Sequence, residues 1–85
     1  MILHTVNKQE AMYRCRAFAG EGDVVVLLED GVYLACTDQG LRCVAIADDI
    51  RARGLSTKVA EKIELIDQSR FVELCVEADK VCAWW

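Results

Sequence analysis

Apolar positions along this chain fall into short runs with two different spacings, separated by polar or glycine-containing breaks. Ile2 to Val6 reads as a short strand. Asn7, with Glu10 three residues on, has the form of a capping box, and a helix is expected from there to about Gly20. Met12, Cys15, Phe18 and Ala19 recur along it at helical spacing as one inward stripe, while Lys8, Arg14 and Arg16 point elsewhere. Gly20-Glu21-Gly22-Asp23 is a break. Val24 to Leu28, ending at Glu29, is continuously apolar and β-branched, the pattern of a strand buried on both faces of a parallel sheet.

The second half repeats the alternation. Asp30 is placed to cap a short helix from Gly31 to about Cys36, Leu41 to Ala47 reads as a strand, and Asp48-Asp49 opens a helix that Gly54 ends. Ser56 to Lys62 is expected as a loop with a helical turn, and Ile63 to Ile66 as a strand. Asp67 then caps a helix to about Asp79 with Phe71, Leu74, Cys75 and Ala78 inward, before a last strand from Val81 to Trp85. Five strands separated by four helical segments predict an α/β fold, a three-layer α/β/α sandwich around a mostly parallel five-stranded sheet with right-handed crossovers.

With 85 residues the chain is expected to form a single domain over 1–85. A domain of this size buries only roughly two-thirds of the surface its unfolded chain exposes. Its hydrophobic fraction of 54% exceeds the usual ~45–50% while charged residues stay at 28%, so the excess apolar surface is expected to lie against another subunit. A net charge of −4 and a pI near 4.8 argue against direct binding of nucleic acid, which needs clustered Lys and Arg. No run approaches the roughly 18 apolar residues of a membrane span, and Met1 leads straight into a strand, so a cytoplasmic protein is expected.

Cys15, Cys36, Cys43, Cys75 and Cys82 are odd in number and contain no Cys-x-x-Cys pair; with His4 as the one imidazole, they predict neither a disulfide framework nor a metal site. No glycine fingerprint for a nucleotide is present, and no cofactor is expected. The crevice of an open α/β sheet lies beyond the carboxyl ends of its strands, which here means His4-Thr5, Glu29-Asp30-Gly31, Asp48-Asp49 and Asp67. Helix capping accounts for the acids among these. An acid-lined edge there would suit a basic partner surface better than an anionic substrate. His4 is read as a structural histidine at a strand end.

Leu28-Glu29-Asp30-Gly31-Val32-Tyr33 and Asp49-Ile50-Arg51-Ala52-Arg53-Gly54-Leu55, taken with Ile2 to Asn7 and Ile63 to Asp67, resemble the TusB/DsrH family over nearly the whole chain. That family is the smallest subunit of the TusBCD and DsrEFH sulfur-transfer assemblies. The resemblance implies a DsrE-like sandwich. It also implies TusC/TusD-like or DsrE/DsrF-like partner subunits in a hetero-oligomer, and sulfur-carrier proteins of the TusA and TusE/DsrC type. The implied output is sulfur for 2-thiolation of the tRNA wobble uridine, or, on the DsrH side, dissimilatory sulfur oxidation.

Sulfur transfer needs an accessible thiol with thiolate character. Cys15 matches a cysteine that DsrH-side relatives carry in the first helix, and Arg14 and Arg16 flank it; two readings stand together, a persulfide carrier and a buried packing thiol. His4, Asp30, Gly31, Trp84 and Trp85 are the expected binding or interface positions, since two terminal tryptophans are costly to leave in water and suit packing between chains. Readings of another class are a non-catalytic homo-oligomeric interaction or ligand-binding module, and an independent thiol enzyme built on Cys15.

Overall fold

Val24, Val25, Val26 and Leu27 send their side chains alternately to opposite sides of a strand, so a sheet built on them has to be covered on both faces. The computed structural model, which describes residues 1–85, places them in that setting. Strand β2 (Val24–Leu27) is wholly buried at the centre of a five-stranded sheet. Around it lie β1 (Ile2–Val6), β3 (Cys43–Ile46), β4 (Glu64–Ile66) and β5 (Lys80–Trp84), in the order β4-β3-β2-β1-β5. Every pairing is parallel, so the expected DsrE-like α/β sandwich forms with no antiparallel strand.

The two faces are covered unequally. Helix α1 (Ala11–Phe18), a 3-10 helix (Glu29–Cys36) and α2 (Ala47–Ala52) share one face. There Ala11, Met12, Cys15, Val32, Ala35 and Ile50 pack on Val6, Val25, Leu27, Cys43 and Ala45. Leu3, Val24, Val26, Val44, Ile46 and Ile66 form the opposite face, and helix α3 (Gln68–Glu77) covers it with Leu74, flanked by Phe71 and Cys75.

Helix boundaries depart from expectation at three starts. α1 begins at Ala11, after a tight turn in which Ala11 N–H and Met12 N–H donate to Lys8 O and Gln9 O, both at 3.2 Å. The capping box does not form, and Asn7 Oδ1 is buried without a partner. Asn7 is held at the end of the sheet, beside Gly31, and so cannot wrap over a helix start. The segment after β2 is 3-10 rather than α, with no side-chain cap from Asp30. α2 springs from β3 at Ala47, ahead of the two aspartates expected to cap it. Asp67 does cap α3, its Oδ1 accepting from Arg70 N–H at 2.8 Å, and Gly54 ends α2 at φ +67°.

Phe18 also departs from its expected inward place. Met12 and Cys15 satisfy the inner stripe of this two-turn helix, and Phe18 overhangs β5, 75% exposed, with its ring 5.4 Å from that of Trp84.

Gly31 owes its identity to a close approach of backbones. A Cβ added there would lie 2.0 Å from Val6 O and 2.9 Å from Val6 C, so the 3-10 helix can lie against the end of β1 only without a side chain. Val6 O is committed to that position because it accepts from Leu28 N–H at 3.1 Å. Gly31→Ala is therefore expected to lower the unfolding free energy by ~3 kcal/mol or more, read by urea denaturation against the wild type.

Candidate functional site

A histidine inside an apolar strand has two ring nitrogens to satisfy without water. His4 lies in the middle of β1 with 1% of its surface exposed, away from the carboxyl-end crevice where it was expected. Its Nε2 is 3.0 Å from Asp23 Oδ2, and its Nδ1 is 3.0 Å from Trp84 Nε1. An indole N–H only donates, so Nδ1 must be the acceptor, and the ring proton of neutral His4 resides on Nε2 and is donated to Asp23. The His4 and Trp84 rings stack with centroids 6.2 Å apart at 24°. This polar chain runs from the head of β2 through β1 to the end of β5.

Asp23 was read in the sequence only as part of a break between elements. It proves to be the anchor of the network. Gly22 at φ +87° turns the chain so that Asp23 faces back, where it accepts from Gly20 N–H at 2.9 Å and Ile2 N–H at 3.0 Å as well as from His4. These donors, the Gly20 and Ile2 amides before His4, hold its carboxyl well below the usual carboxylate range. The signal in the sequence was a lone polar ring in an apolar strand, whose partner has to come from a strand neighbour.

Cys15 is fully buried beneath α1. Burial, with a smaller contribution from nearby Cys43, pushes its thiol up to about 11 and outweighs the opposing influence of Arg16. The flanking guanidiniums are engaged elsewhere, Arg14 with the backbone O of Trp85 and Arg16 with Gln39. Cys43 is likewise buried, its thiol also pushed up to about 11 by desolvation. Cys36, Cys75 and Cys82 are half-buried, and all five thiols are free.

The remaining expected positions lie at the carboxyl end of the sheet, Gly31 against Val6 and Trp84 paired with it. Asp30 accepts from Arg53 Nε at 2.9 Å, while Asp49 Oδ2 accepts from Glu29 N–H at 2.8 Å. Together they tie the 3-10 helix to α2 and hold Glu29 at φ +50°. Gly31 is packed against Val6 and leaves no space beside it for a ligand. Trp84 turns inward onto His4, whereas Trp85 remains 72% exposed. A cavity of about 360 Å³ opens at the amino ends of β2 and β3, between Gly20-Glu21-Gly22 and Gly40-Leu41-Arg42. No thiol lines it. No three His, Cys, Asp or Glu residues converge as metal ligands.

The family model described as DsrH like protein matches residues 4–81. This chain belongs to the DsrH-like family. Within that family the chain is 33% identical over 75 residues to protein TusB of Enterobacter sp. (strain 638), covering 76% of this chain and 78% of the relative. It is 32% identical to protein TusB of Photorhabdus laumondii, covering 98% and 100% of the two chains. The solution structure of protein Tm0979 from Thermotoga maritima superposes at a TM-score of 0.72 with 28% identity, covering 91% of this chain and 93% of that one. The E. coli ychN protein shares the fold at a TM-score of 0.69 and 12% identity, over 96% of each chain.

In this DsrH-like domain the Asp23 contribution to stability has a definite sign. A carboxyl whose folded pKa is depressed stabilises the fold above its unfolded value of ~3.9, and that stabilisation is lost as pH falls through the folded value. Asp23→Asn is expected to be less stable than wild type at pH 7, with the gap narrowing below about pH 4, measured by thermal unfolding across pH. A gap that stays constant with pH would contradict the assignment.

Proposed function

We propose that this chain is a structural subunit of a TusBCD-type sulfur-relay complex. It supports the passage of persulfide sulfur between proteins without carrying the sulfur itself. The observation that carries this reading is the state of Cys15: the thiol at the family's candidate position is fully buried and pushed up to about 11. Persulfide exchange requires attack by a thiolate on an accessible sulfur. At neutral pH this group is neither a thiolate nor within reach. The sulfur-carrying cysteine therefore belongs to a TusD- or DsrE-like partner, and TusA-type and TusE/DsrC-type carriers would hand sulfur to and from the assembly.

Similarity to proteins named TusB supports 2-thiolation of the tRNA wobble uridine as the output. The acidic character of the chain fits a role that never grips the tRNA, since the sulfur moves between proteins. Cys15 itself favours a second reading, a DsrH-type subunit in sulfur oxidation, because DsrH-side relatives carry a cysteine at that place.

The test is a sulfur-loading experiment on the isolated native chain and on its co-expressed complex with TusC- and TusD-like subunits. Each is incubated with a persulfide donor, alkylated at pH 8 and mapped by mass spectrometry, with Cys15→Ser alongside. Cys15 is expected to gain no sulfur and to alkylate more slowly than half-buried Cys36, Cys75 and Cys82, while the chain co-purifies with its partners and sulfur appears on them. Persulfide on Cys15 of the wild type, absent from Cys15→Ser, would overturn the structural reading. Failure to co-purify with either partner would overturn membership of the complex.

A further inference from the structure

A parallel sheet ends in two strands with unpaired backbone groups, and proteins blunt such edges with short strands, charges or cover. The two edges here are treated differently. β4 has three residues, with Glu64 on it and Lys62 and Asp67 close by in the chain. β5 has five, Lys80-Val81-Cys82-Ala83-Trp84, paired only with β1 and charged only at its first residue. Apolar surface borders it: Phe18, 75% exposed, beside Trp84 on the α1 face, Val81 at 47% on the face that α3 covers, and Trp85, 72% exposed, just past the end of the strand. Such an edge is a template for another strand.

Charge identifies the kind of strand. α1 and β5 contain no acidic residue, although the whole chain has 14 acids and 10 bases; Arg14, bonded to Trp85 O, and Lys80 are the bases at this edge, while Arg16 turns away to Gln39. Asp79, just before β5, is paired with the Met1 amino group. The edge is thus a basic, aromatic strip on an acidic molecule. A second copy of the chain fits it poorly. Antiparallel two-fold pairing of β5 with itself would bring Lys80 to the Trp84 end of the other copy, where Arg14 sits against Trp85 O, and like charges facing across strands are destabilising.

Resting on the reading of the chain as a complex subunit, we propose that the free edge of β5, flanked by Phe18 and Trp85, is the docking surface for a strand of an unlike partner subunit rich in Asp and Glu at its contact. Main-chain hydrogen bonds from that strand extend the sheet, and its carboxylates meet Arg14 and Lys80. Trp84, fixed by His4, holds the last residue of the edge in place.

The test measures binding of the full chain to its TusC- and TusD-like subunits, titrated separately, for wild type, Phe18→Glu, the double variant Arg14→Glu/Lys80→Glu, and Leu65→Glu on the opposite edge. All the changed residues except half-exposed Leu65 lie at freely exposed positions, and thermal unfolding of each variant confirms its fold. The dissociation constant for one partner is expected to rise about tenfold or more for Phe18→Glu and for the double variant, and to stay near wild type for Leu65→Glu. Added salt should weaken the wild type more than the double variant. Wild-type binding that is insensitive to both β5-side variants, or sensitive only to Leu65→Glu, would overturn this assignment and leave the complex reading standing. Absence of wild-type binding to either subunit would overturn both. Self-association of the wild type that Phe18→Glu abolishes would make a second copy the occupant and refute an unlike partner.

Discussion

The hydrogen bonds of one buried imidazole hold the middle of this sheet to its end. His4 has no water to turn to, so its two nitrogens must be met by groups brought from other strands. One partner is Asp23, at the head of β2; the other is the indole of Trp84, at the end of β5. Those contacts link residues 19 and 80 positions away in the chain. They also select the tautomer, because the indole can only give a proton and the carboxylate can only receive one. A well-packed apolar side chain at His4 would fill the space but would not position the last strand by direction as well as by volume.

The cover over the two faces of the sheet is uneven. Three helical segments crowd onto one face of the sheet, and a single ten-residue helix covers the other. The crowded face is where Cys15 and Cys43 lie sealed, far from the conditions that make a thiol reactive. Exposed apolar groups are spread over the surface, Val72 and Val76 on α3 and Tyr13 on α1 among them, and Phe18, Trp85 and Val81 are the ones that border the β5 edge. Cys15, the thiol at the candidate carrier position, is thereby buried while the β5 edge is left open.

Much of the architecture was legible in the order of apolar runs, because a parallel sheet covered on both faces demands long stretches with no polar alternation. Val24 to Leu27 and Cys43 to Ile46 stand where those runs are unbroken. Asp67 and Gly54 were legible as helix start and stop since their roles are local. What was not legible is non-local. Asn7 and Glu10 have the right spacing for a cap, but the packing of Gly31 against the end of β1 decides how the chain leaves the strand. Asp48 and Asp49 precede a helical stretch, yet the helix begins earlier and Asp49 is drawn to the Glu29 amide instead. Phe18 follows the inward spacing of α1 but falls beyond the sheet's cover, and Asp23 acquires its meaning only when β1 and β2 lie side by side. The sequence left Cys15 open between a persulfide carrier flanked by arginines and a buried packing thiol, because proximity along the chain carries no information about depth.

The central claim is that β5 is secured from within and open from without, awaiting a strand from another subunit. Hydrogen–deuterium exchange of the β5 amides in the isolated chain and in the assembled complex tests this most directly. Amides of Lys80 to Trp84 that face away from β1 are predicted to exchange fast in isolation and to become strongly protected on assembly, with β4 little changed. Equal exchange of β5 in both states, or protection appearing at β4 instead, would contradict it.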